Sequence, residues 1–208
     1  MRPFVLLTLS LGLAACGGSS AFAPATPEAA AYRAALLDLR EADQAPRTRL
    51  VDLLERYDRA PPDSLYRPLA REVQAADSVN LIRLEALVDE RGWPLASEVG
   101  TWAAGAAWLV VQHAPLDVQL RYEPTIADAV EAGEAEPVWL AYLTDRILVR
   151  QGLPQRYGSE QRTDPDTGQR AFYPIEDPAA VDARRAAVGL DPIREYARRI
   201  GVPYPPEQ

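Results

Sequence analysis

The sequence contains no lysine, and all 22 of its basic residues are arginine. Without a lysine amine the chain cannot form a Schiff base with a carbonyl substrate, and a phosphate-binding loop of the Walker type is also excluded. The formal net charge is −8. We therefore expect no general affinity for nucleic acid or for anionic lipid headgroups.

Histidine and cysteine each occur once, as His113 and Cys16. A zinc site built from cysteine and histidine needs more ligands than these two residues supply. The chain also lacks the Gly-x-Ser-x-Gly motif of a serine hydrolase and the Gly-x-Gly-x-x-Gly motif of a dinucleotide site. We therefore expect no metal and no cofactor. A metal held by carboxylates alone stays open as an alternative, although no motif supports it.

The first residues have the features of an export signal. Arg2 precedes an apolar run, residues 4–13, which is too short to span a bilayer. The following Leu13-Ala14-Ala15-Cys16 resembles the bacterial lipoprotein signal, which implies cleavage before Cys16 and attachment of lipid to it. An ordinary secretory signal with an incidental cysteine is the alternative. As the sole cysteine, Cys16 has no disulfide partner within the chain.

This resemblance predicts three segments: a signal peptide over 1–15, a lipidated cysteine with a flexible Gly/Ser/Pro-rich linker over 16–27, and one helical domain over 28–208. The partner would be a membrane, reached through the lipid on Cys16. We expect the protein in the bacterial cell envelope. Gly17 is not the aspartate typical of inner-membrane retention, so an outer-membrane anchor facing the periplasm is favoured in a Gram-negative cell.

Apolar residues recur at helical spacing along most of the remaining chain. Residues 92–114 form the central segment, and Thr101 is the only polar side chain between 99 and 111, which predicts a helix buried on all sides from about Ser97. Pro46 is predicted to break or kink the first helix. Short aromatic runs around a turn near 156–175 predict a β-hairpin. The fold class is thus mainly α: a single-domain helical bundle around a buried central helix.

The candidate functional residues are polar side chains at helix ends or among apolar neighbours. His113 ends the apolar seam of the central helix, and Asp145 projects among apolar side chains of a later helix. These two are the catalytic candidates. The binding candidates are Asp43, Gln44, Asp77, Asn80, Gln112, Gln155, Tyr157 and Glu160.

Two functions fit these residues. The first is a binding or scaffold module without catalytic activity, favoured because no catalytic motif is complete. The second is a hydrolase-like or lyase-like enzyme in which His113 acts as an acid or base beside Asp145 or Asp77. Purely structural roles also remain open: His113 can be a buried packing residue, and Asp145 can form an ion pair with Arg146.

Several separate motifs follow one another along the chain. They are Asp43-Gln44 with Arg47, Asp77 with Asn80, Gly92-Trp93-Pro94, Gln112-His113-Ala114, Leu140 to Arg146, Gln155 with Tyr157-Gly158, Pro174 to Asp177, and Val181 to Leu190. Together and in this order they resemble an uncharacterised family of bacterial domains of unknown function. The resemblance covers residues from about 43 to 196 and implies one domain, without an established activity, substrate or cofactor. The relatives tend to read Tyr-Gly-Thr-Gln where this chain reads Tyr-Gly-Ser159-Glu160, which would alter ligand preference if that glutamine contacts a ligand.

Overall fold

The computed structural model describes residues 22–164 and 168–204. The predicted signal peptide, Cys16 and the first part of the linker lie outside these residues. The chain divides into two compact units, Met1–Ala114 and Pro115–Gln208. The described residues contain eight α-helices and one two-stranded antiparallel sheet, which confirms the prediction of a mainly α fold with a small hairpin. Within the described ranges, no helix is both long enough and apolar enough to cross a bilayer.

Helix α1 (Pro27–Arg56) opens the first unit. The Thr26 hydroxyl caps it by accepting from the amide of Ala29 at 3.1 Å. The helix continues through Pro46, so Pro46 does not break it. A proline removes one hydrogen bond and strains the preceding turn. Here that cost is outweighed because α1 packs against three other helices, and Pro46 is itself buried in that packing.

Helix α2 (Asp63–Arg91) packs antiparallel against α1. The Tyr32 hydroxyl donates to the carbonyl of Gly92 at 2.7 Å, and Arg47 pairs with Asp77 farther along. These two contacts fix the register of the helices. Buried positions on α1 alternate in steps of three and four residues, and those on α2 follow in steps of three, seven and four, which is the spacing of a coiled-coil seam. They are Ala29, Tyr32, Leu36, Leu39, Asp43, Pro46, Leu50 and Leu53 on α1, and Ala70, Val73, Asn80 and Leu84 on α2.

The predicted central helix is two helices, α3 (Ala96–Val99) and α4 (Thr101–His113). Gly100 separates them with φ +81°, and a Cβ atom on it would lie 2.8 Å from both Arg33 Nη1 and Phe22 Cγ. Only glycine adopts this positive φ without strain and also leaves room for these two neighbours. The sequence pattern missed this break because an apolar run continues across it.

Most of α4 is buried, as predicted, and it contacts both α1 and α2. Its first turn departs from the prediction because the Trp102 side chain is 54% exposed. The guanidinium of Arg40 lies 3.5 Å from the centre of the Trp102 ring, in cation–π geometry. Only the first two residues of α4 are exposed, and the buried part of the helix extends to Gln112, next to His113.

The second unit begins with α5 (Leu116–Glu131) and α6 (Pro137–Arg150), which pack against each other. Strands β1 (Gln161–Thr163) and β2 (Arg170–Phe172) then pair antiparallel, with Gln161 opposite Phe172. This is the predicted hairpin.

A 3-10 turn (Pro178–Ala180) leads into α7 (Val181–Ala187), and α8 (Ile193–Ile200) follows. The carboxylate of Asp182 on α7 accepts from the amide of Ile193 at 2.7 Å and so caps α8 from a distance. Apolar side chains of this region form a core of Val181, Ile193, Tyr196, Ile200 and Val202, with Phe172, Ile175 and Tyr204 packed against it.

Candidate functional site: a polar cluster among three helices

Asp43 occupies a core position of α1, and only 1% of its side chain is exposed. Its Oδ1 lies 3.0 Å from His113 Nδ1, and its Oδ2 accepts from Gln44 Nε2 at 2.7 Å and from Arg47 Nε at 3.3 Å. Burial by itself raises the pKa of Asp43, but the interactions with His113, Arg47 and Gln44 outweigh it and hold that pKa below its ordinary value. Asp43 is therefore an ionised carboxylate inside the helical packing.

Arg47 bridges the cluster. Its Nε lies 3.3 Å from Asp43 Oδ2 and 3.2 Å from His113 Nδ1, and its Nη2 pairs with Asp77 Oδ1. The two interactions at His113 Nδ1 exclude each other, because a nitrogen that carries a hydrogen cannot also accept one. Since Asp43 is an acceptor only, a hydrogen on His113 Nδ1 is what satisfies both the imidazole nitrogen and the carboxylate.

Asp77 is the third charged member, and 25% of its side chain is exposed. Burial raises the pKa of Asp77 to about 6; Arg47 opposes this rise and the negative charge of Asp43 adds to it. Arg47 holds Oδ1, whereas Oδ2 has no hydrogen-bond partner within the described part of the chain. Asp77 is therefore a carboxyl group whose charge changes near neutral pH.

Asn80 follows Asp77 by one turn of α2, and 1% of its surface is exposed. The antiparallel register places it level with Asp43 on α1. Its Nδ2 atom is buried and donates to no atom of the described residues. An unfilled donor in such a position costs about 1–3 kcal/mol, so it calls for an explanation.

Ligand atoms of Asp43, Asp77 and His113 all lie within 4.8 Å of one another. Two carboxylates and an imidazole are suitable ligands for a zinc ion. However, the guanidinium of Arg47 already pairs with both carboxylates and supplies the positive charge between them. A metal ion would have to displace it.

The structure thus brings together Asp43, Gln44, Asp77 and His113 from the predicted candidates. Sequence reasoning did not select Arg47 as a site residue, although it lies one turn after Asp43 and belongs to the same motif. A usable signal was present: Asp43, Asp77 and Asn80 interrupt an otherwise apolar three-four spacing. Gln112 is buried beside His113 on α4, with 2% exposed.

The remaining candidates lie in the second unit. Asp145 on α6 accepts from the amides of Arg156, Tyr157 and Ser159 at 2.7, 3.0 and 2.9 Å, and from the Ser159 hydroxyl at 2.9 Å. Burial raises its pKa, and these hydrogen bonds work against that rise. Asp145 therefore organises the loop after α6.

Two further candidates brace the same loop. Glu160 forms a buried ion pair with Arg146, whose Nη2 lies 2.8 Å from Glu160 Oε1, so Arg146 pairs with Glu160 rather than with Asp145. The side chain of Gln155 donates to the carbonyls of Glu160 and Tyr173 and accepts from the amide of Glu160. In this chain, the carboxylate at position 160 neutralises a buried guanidinium.

No curated protein and no solved structure matches the chain. Residues 31–205 match the family described as a family of unknown function, DUF6624. The matched residues run through both compact units and include the polar cluster as well as the braced loop. The chain therefore belongs to the family DUF6624, as the order of its motifs led us to expect.

Proposed function

We propose that this protein is a ligand-binding module, anchored by a lipid on Cys16 in the bacterial envelope, and that its binding site is the polar cluster of Asp43, Arg47, Asp77, Asn80 and His113. The observation that carries the proposal is the buried Asn80 Nδ2 with no hydrogen-bond partner among the described residues, beside a partly exposed Asp77 whose Oδ2 is also unfilled. A bound ligand would fill both atoms.

The free-energy cost of burying the charged side chains of the cluster supports a functional role. Charged groups in a helical seam are often no more stabilising than apolar side chains of similar size, because removing them from water costs several kcal/mol for each ion. Leucine at positions 43 and 80 would continue the apolar spacing of α1 and α2. A polar layer can also specify helix register, but that role needs no unfilled donor.

One observation favours a second function, that of an acid/base enzyme. The Asp43–His113 hydrogen bond is the arrangement in which a buried carboxylate orients an imidazole and stabilises its protonated form. His113 would then transfer protons to or from a bound substrate. This candidate shares its site with the first and differs in what His113 does.

The variant Asn80→Leu tests the binding function. If Asn80 serves a ligand, removing its unfilled amide makes the free protein more stable, by about 1 kcal/mol, while the variant no longer restores the phenotype of a deletion strain. Gln74→Leu, on the exposed side of the same helix, is the control and restores it. An Asn80→Leu protein that still complements the deletion would refute the proposal.

Replacing His113 distinguishes the binding function from the acid/base enzyme. If His113→Gln complements the deletion, the acid/base enzyme is excluded and the binding module stands.

The anchor has its own test: Cys16→Ser releases the protein from the membrane fraction. Retention of that variant in the membrane fraction would contradict lipid attachment at Cys16.

A further inference from the structure

The unfilled hydrogen-bonding atoms of the cluster indicate what kind of group it accepts. Within the described residues, the Nη1 amino group of Arg47 and the Nδ2 amide of Asn80 have no acceptor, and Asp77 Oδ2 has no donor. Two nitrogen donors therefore lack acceptors, and one carboxylate oxygen lacks a donor. A ligand that fills them must present oxygen acceptors.

We infer that the cluster binds the carboxylate group of a small molecule, and that Asp77 takes up a proton as this carboxylate binds. This inference rests on the proposed binding function. The ligand oxygens accept from Arg47 Nη1 and Asn80 Nδ2, and protonated Asp77 Oδ2 donates its hydrogen to one of them. Guanidinium groups are the common partners of carboxylates in proteins.

The charges of the cluster require the proton. The groups facing Asp77 are Asp43 and Arg47 on α1 and His113 on α4. An ionised Asp77 would repel an arriving carboxylate, because both groups are negative. Protonation of Asp77 removes that repulsion and turns an acceptor into a donor. Burial already raises the pKa of Asp77 to about 6, so the proton is obtained at little cost near neutral pH.

A divalent cation is the rival ligand, because three possible ligand groups lie within 4.8 Å of one another. The atom of Asn80 without a partner is a donor, which a cation cannot use. The cation's position between the carboxylates is also taken by the Arg47 guanidinium. Both observations favour the carboxylate.

The test uses sodium acetate as the probe and the full-length chain in detergent. His113 is the only histidine, so its imidazole gives a single, unambiguous set of NMR signals next to the site. We expect acetate to shift these signals saturably with a dissociation constant in the millimolar range, as suits so small a ligand. Sodium chloride at equal ionic strength causes no such shift. Uptake of one proton predicts that affinity falls about tenfold per pH unit above pH 6.

Three variants make the test specific. Asp77→Asn places a permanent donor at that position, so it still binds acetate but loses the pH dependence. Asn80→Leu weakens acetate binding at least about tenfold, which is the loss of one buried hydrogen bond to a charged group. Arg49→Gln is the control, because Arg49 lies on α1 but pairs with Glu72 at the surface, and it leaves binding unchanged.

The absence of a saturable acetate shift, or an equal shift with chloride, overturns the inference. So does saturable binding of zinc or magnesium that Asp77→Asn abolishes. Acetate binding that is unaffected by Asn80→Leu places the anion elsewhere and also overturns it. The binding function itself fails on a different result, which is complementation by Asn80→Leu, so the two failures can be told apart.

Discussion

Replacing Asp77 by asparagine should change how stability depends on pH. Burial raises the pKa of Asp77 to about 6, from an ordinary value of 3.8. The folded state therefore keeps a proton at a pH where the unfolded state has lost it, and stability falls as pH rises through this range. Asparagine has the shape of the protonated group and does not titrate. The variant should thus gain stability relative to the wild type as pH rises.

The size of the effect follows from the two pKa values. A difference of about 2 pKa units corresponds to about 3 kcal/mol over the whole titration, of which about 2 kcal/mol falls between pH 4 and pH 7. Asp43 has a lowered pKa, so its contribution to the free energy of unfolding is instead lost as pH falls. Asp43 is present in both proteins, so to a first approximation its term cancels in the comparison.

The assay is urea unfolding at pH 4, 5, 6 and 7, followed by tryptophan fluorescence. Both proteins carry Trp139→Phe, because the remaining tryptophans, at 93, 102 and 108, all belong to the first unit. Asp89→Asn, at an exposed position of the same helix, is the matched control and should show no such trend. A stability difference between Asp77→Asn and wild type that stays constant from pH 4 to pH 7 would refute the reasoning.

Two other changes have defined outcomes. In Asp43→Asn the ionic acceptor of the His113 Nδ1–H is lost, so Arg47 Nε can donate to Nδ1 and the imidazole hydrogen moves to Nε2. Long-range ¹H–¹⁵N correlation of the single histidine detects this move. An unchanged tautomer would show that Asp43 does not control the position of the hydrogen. Glu160→Gln removes the carboxylate that pairs with the buried guanidinium of Arg146 and should cost about 3 kcal/mol in urea unfolding. A loss below about 0.5 kcal/mol would mean that the pair is replaceable by a neutral hydrogen bond.

Local sequence patterns predicted the secondary structure well where one signal acted alone. The hairpin, for example, lies inside the range predicted for it. Local signals were less informative where packing opposed them. Pro46 is a helix breaker by its own chemistry, yet contacts along α1 keep the helix continuous. Gly100 stands in an apolar run that favours one helix, yet Arg33 and Phe22 approach so closely that the chain breaks there.

The candidate site was predictable in part. The sequence alone selected Asp43, Asp77 and His113 as polar side chains among apolar neighbours, because that contrast is a local property. It paired His113 with Asp77 or Asp145 and did not select Asp43 as the direct partner. Asp43 and His113 lie 70 positions apart in the chain, and no spacing rule reaches that far.

The sequence by itself therefore determined the fold class, the positions of most helices and the chemical types available for a site, since each depends on residues within a few positions of one another. Only the tertiary structure decided which acid meets the single histidine, that Arg47 bridges both carboxylates, and that Asp145 holds a loop. Such pairings depend on the register in which helices pack, and that register results from many apolar contacts together rather than from any one motif.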